Sequence, residues 1–64
     1  MIQEYDMVKS LKDLNNVVLK DCIGTVVMVY AAFPPAYEVE FVNDAFGTID
    51  VLTVKADDII KVKQ

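Results

Sequence analysis

Gly24-Thr25-Val26-Val27-Met28-Val29-Tyr30, closed by Phe33-Pro34-Pro35 and followed by Tyr37-Glu38-Val39-Glu40-Phe41, is the stretch on which the fold turns. Its first part is β-branched and aromatic and opens on a glycine, the composition of a strand that packs on a pleated surface. Both faces of this part are apolar, which predicts a central strand of a tightly curled sheet. Two prolines in succession lack the amide protons that a ladder needs, so the strand ends there. The second part alternates strictly, with Tyr37, Val39 and Phe41 on one face and Glu38 and Glu40 on the other. Asn43-Asp44-Ala45-Phe46-Gly47 reads as a turn with Gly47 at a positive φ. Thr48 to Val54 is then the returning strand of a hairpin.

Toward the N-terminus, residues 5 to 12 show an imperfect period of two, which predicts a first strand. Lys12-Asp13-Leu14-Asn15-Asn16 interrupts it, because Asp and Asn side chains bond to nearby backbone groups and favour turns. Residues 13 to 22 read as a long excursion held to the core by Leu14, Leu19 or both. A short helix is the alternative, since Leu11, Leu14, Val18 and Cys22 fall at helical spacing. Toward the C-terminus, Lys55 to Ile59 predicts a single helical or 3₁₀ turn with Asp57 and Asp58 capping its amides. Ile60 and Val62 alternate with Lys61 and Lys63 as a short last strand. Residues 1–64 thus read as one all-β domain, a small five-stranded barrel with a 3₁₀ turn before the last strand, closure being the economical way to remove edges. The expected core includes Val27, Val29, Val39, Phe41, Val51 and Ile60.

Leu19-Lys20-Asp21-Cys22-Ile23-Gly24-Thr25-Val26-Val27, Val39-Glu40-Phe41 and the later Ala56-Asp57-Asp58-Ile59 together resemble the DUF4926 family of small bacterial domains. The resemblance covers most of the chain and implies an SH3-like fold; it implies no activity. More distantly, the glycine-led strand is similar to that of SH3-like barrels of the KOW type. Family sequences commonly carry a glycine just after the lysine, where this chain has Asp21.

Composition narrows the function. Of the 64 residues 55% are hydrophobic and 25% charged, a mixture that folds rather than stays disordered. Six lysines and no arginine face ten acidic residues, for a net charge of −4. Contact with a nucleic-acid backbone draws on Lys and Arg, so such binding is disfavoured, and the KOW-type nucleic-acid domain stands as the alternative reading. The single Cys22 rules out an intrachain disulfide, and no apolar run approaches the roughly 20 residues of a membrane span. With no basic-then-apolar start, the chain reads as cytoplasmic.

Catalytic motifs are missing: there is no His, no glycine-rich phosphate loop and no nucleophile paired with a base, so the chain is not expected to be an enzyme or to carry a cofactor. Cys22 reads as a structural thiol. Glu38 and Glu40 lie about 6 to 7 Å apart by strand rise, and Asp50 on the neighbouring strand adds a third carboxylate. That set reads as an acidic sheet face rather than a metal site, which wants several converging oxygens. Phe33 beside two prolines and Phe46 in a polar turn are the aromatic anchors such a face would use. The sequence therefore predicts a protein-interaction module with an accessory, regulatory or toxin-neutralising role. It would bind another protein, a basic one, through Phe33, Glu38, Glu40, Phe46 and Asp50.

Overall fold

In the computed structural model, which describes residues 1–45 and 47–62, the alternating segments pair into one five-stranded antiparallel sheet. The strands are β1 (Met7–Ser10), β2 (Ile23–Tyr30), β3 (Ala36–Val42), β4 (Thr48–Lys55) and β5 (Ile59–Lys61), with a 3₁₀ turn at Ala56–Asp58. Their order across the sheet is β4-β3-β2-β1-β5. The all-β class, the five strands and the turn before the last strand agree with the sequence. Closure does not follow: no ladder joins β4 to β5 among the described residues, so the barrel is open.

One row of paired residues, Val8, Gly24, Phe41 and Asp50, lies on the inner face. The next row, Met7, Thr25, Glu40 and Val51, lies on the outer face. Val8, Val18, Val26, Tyr37, Val39, Phe41, Val54 and Ile59 form the buried core. Gly24 sits beneath it, where a Cβ would come within 2.6 Å of the Val39 side chain and 2.9 Å of both Phe41 and the Glu40 carbonyl. The close approach of strand to ring is what requires a glycine there.

Four of the expected core residues are exposed, and each departure has a local cause. A register shift between Val26 and Met28 sets Val27 as an extra residue in β2, which leaves Val26 in the core and Val27 outside it. Val29 pairs with Tyr37 on the inner side, but β1 reaches only as far as Thr25 along β2, which leaves Val29 37% exposed. In β4 the register shift beside Ile49 turns Val51 to the outer row and Val54 to the core. The last strand starts directly from the 3₁₀ turn, so Ile59 pairs with Ser10 facing inward and Ile60 faces out. A one-residue slip exchanges the two faces of a strand.

Residues 11–22 cross the open side of the sheet without forming a helix. Val18 is their fully buried anchor, Leu14 packs beside it, and Leu19 is exposed rather than anchoring. Ser10 is buried yet satisfied: its hydroxyl donates to the Leu19 carbonyl at 2.6 Å and accepts from the Cys22 amide at 3.0 Å. Asp58 accepts the Lys55 amide at 3.0 Å and meets the Lys12 ammonium at 2.8 Å, tying the 3₁₀ turn to the loop. That lysine hydrogen bond, followed by the amide, holds the Asp58 carboxyl below its ordinary value. Asp57, the other expected cap, is exposed and accepts no amide among the described residues. Gly47 does not take the expected positive φ; its amide instead donates to the Asn43 side-chain oxygen at 2.9 Å. No described helix is long and apolar enough to cross a membrane.

Candidate functional site

The sequence singled out five residues, and the structure separates them. Phe33 stands fully exposed in the connection from β2 to β3, with a relative exposure of 102%. It continues an apolar stretch: Val27, Met28, Val29 and Tyr30 are each between 36% and 48% exposed. Phe46 lies outside the described residues.

Glu38 and Glu40 share the outer face of β3, as the alternation requires. Met28 and Thr53 flank Glu38 in its row, and Thr25 and Val51 flank Glu40. The Thr53 hydroxyl donates to Glu38 and the Thr48 hydroxyl to Glu40. Among the described residues the ion pairs are Lys9–Asp21, Lys12–Asp58 and Lys61–Asp6, so neither glutamate is paired with a cation there. Asp50 does not join them. It sits in the inner row opposite Phe41, and its carboxylate accepts from the Asn15 side-chain amide at 3.1 Å and from the Val51 amide at 2.8 Å. Its role in the described structure is to tie β4 to the 11–22 loop. No three His, Cys, Asp or Glu side chains converge on a metal-sized point among the described residues.

At the opposite end of the outer face the sheet carries a concavity of about 600 Å³. Met7, Cys22, Ile23, Val42 and Ile49 form its apolar wall, and Asp21, Asn43 and Asp44 form its polar rim. Each wall residue has a reason to be there. Ile23 and Val42 are direct partners in adjacent strands, and Ile49 is the residue left over where the β3–β4 register shifts. Bulges of this kind re-aim a side chain. Asp21 takes φ 72, and its amide donates to the Ser10 carbonyl at 2.9 Å, which turns the chain into Cys22. Asn43 fixes the other rim: its side-chain oxygen accepts from the Ala45 and Gly47 amides, both at 2.9 Å.

Burial pushes the Cys22 thiol up from its ordinary value; a backbone hydrogen bond at Ile23 opposes this and the Asp44 charge adds to it. The thiol lies 3.6 Å from the Val42 carbonyl, so it acts here as an apolar wall with a weak donor. This concavity escaped the sequence reading. The available signal was Val42, an apolar residue in the outward series begun by Glu38 and Glu40. The bulge that brings Ile49 to the same place has no signature in the residue pattern.

A family model described as Domain of unknown function (DUF4926) matches residues 4–61. No curated protein and no solved structure matches the chain.

Proposed function

The chain belongs to the DUF4926 family, and from that premise we propose that this member is a cytoplasmic protein-interaction module with no catalytic activity of its own, serving an accessory, regulatory or toxin-neutralising role. The observation that carries the reading is Phe33, wholly exposed beyond the partly exposed residues Val27 to Tyr30, of which Met28 lies beside Glu38 on the outer face. A wholly exposed aromatic ring is the kind of side chain that anchors protein contacts, and such rings supply much of the energy there. Glu38 and Glu40 lie beside Met28 on the outer face, without a cation partner among the described residues. They select a basic partner and speed its approach, while Phe33 holds it. The chain has no His to serve as a neutral-pH acid or base, and burial raises the Cys22 thiol at the other end of the sheet, which disfavours its thiolate; both support a non-catalytic role.

The test begins with a partner copurified on the wild-type chain and measures its binding kinetics. Phe33→Ala is expected to raise the dissociation rate by about tenfold or more, the scale of an aromatic hot spot. The paired change Glu38→Gln and Glu40→Gln is expected to slow association and flatten its dependence on salt. Dissociation unchanged by Phe33→Ala would overturn the reading, because that ring is exposed and its removal leaves the fold intact.

A further inference from the structure

We infer that the concavity at the Cys22 end of the outer face is a second contact site, which receives an apolar side chain flanked by lysine or arginine from a protein partner. The inference rests on the reading of the chain as an interaction module. Its volume of about 600 Å³ falls within the range of ligand-sized clefts, roughly 300–1,000 Å³. Met7, Ile23, Val42 and Ile49, each partly buried, present the remaining branched and thioether surface to the concavity. Burying an apolar side chain there removes hydrocarbon on both partners from water.

The rim decides which side chain. Asp44 is exposed and has no cation within ion-pair distance among the described residues. Asp21 reaches Lys9 only at 3.8 Å, with its own side chain 64% exposed and that of Lys9 43%, a solvent-screened contact that contributes little. Asn43 has committed its oxygen to the turn, which leaves its amide nitrogen to donate to a partner carbonyl. An apolar pocket edged by carboxylates in a chain of net charge −4 complements a cationic segment and repels an acidic one. The rim is built before any partner arrives, which limits the ordering cost of binding.

The test titrates the full ¹⁵N-labelled chain with three acetylated, amidated peptides: Gly-Lys-Phe-Lys-Gly, Gly-Glu-Phe-Glu-Gly and Gly-Lys-Ala-Lys-Gly. The Lys-Phe-Lys peptide is expected to give saturable shifts at the amides of Met7, Cys22, Ile23, Val42 and Asp44. The other two are expected to bind at least about tenfold more weakly, one for want of charge complementarity and the other for want of the ring. Asp44→Asn, an exposed change that spares the fold, is expected to weaken the Lys-Phe-Lys peptide about threefold. Equal binding of the acidic peptide, shifts that do not saturate, or shifts confined to Val27–Phe33 would overturn the inference. The two readings fail separately: a response confined to the Phe33 end removes this site and spares the module, whereas a Phe33-independent partner removes the proposed anchor and spares the groove.

Discussion

Gly24 and Asp21 show how single residues set the surface. The inner side of Gly24 is filled by Val39 and Phe41, so the position tolerates no Cβ even though its φ is ordinary. Gly24→Ala is therefore expected to destabilise the protein by about 1–3 kcal/mol through overpacking, despite the entropy a Gly-to-Ala change removes from the unfolded chain. Guanidinium unfolding midpoints of the two proteins check this; an unchanged midpoint would mean that the Phe41 ring does not lie against the strand. Asp21 illustrates the opposite case. At φ 72 it occupies the left-handed region, which Asp tolerates better than most residues. Ser10 is the buried polar residue among the described core, and its hydroxyl links β1 to the turn that carries Asp21 and Cys22.

At the scale of the strand, β2 divides into two halves. Residues 23–25 pair on both sides, with β1 and β3, whereas residues 28–30 pair with β3 alone. The bulge at Val27 is the divide, and it decides which valine the core receives. Val26→Ala is expected to cost about 2 kcal/mol, from two lost methyl carbons and the space they leave. Val29→Ala is expected to cost less than about 1 kcal/mol, since a half-exposed side chain loses little. Urea melts of both variants check the order, and the reverse ranking would place the bulge elsewhere. The partial exposure of residues 28–30 follows from β1 ending opposite Thr25, which leaves that half of β2 with a single neighbour.

For the molecule as a whole, a radius of gyration of 10.6 Å equals the value of about 10.7 Å expected for a compact chain of this length. The sheet is compact without closing, because Val18 and Leu14 of the 11–22 loop pack onto its core face. A domain this small has little reserve: at about 0.05–0.15 kcal/mol per residue its total stability is roughly 3–10 kcal/mol. Phe41 is among the largest fully buried side chains, and Phe41→Ala is expected to remove about 3–5 kcal/mol. Much of that variant is then unfolded in buffer. Circular dichroism and urea melts measure this, and a loss below about 1 kcal/mol would mean that the ring is not in the core.

The strands, their antiparallel hairpin and the inward set Tyr37, Val39 and Phe41 were legible in the sequence, because a period of two maps directly onto two faces of a sheet. The outward placement of Glu38 and Glu40 followed from the same period. Where alternation fails, the sequence loses its hold. Val27 and Ile49 are extra residues in their ladders, and an apolar run on both faces carries no mark of where an extra residue falls. Only tertiary contacts set those two bulges, and with them the exposure of Val27 and Val51, the displacement of Asp50 from the acidic face and the groove beside Cys22. Local sequence fixes how a strand alternates; its neighbours decide the register, and a shift of one residue turns a core side chain into a surface for binding.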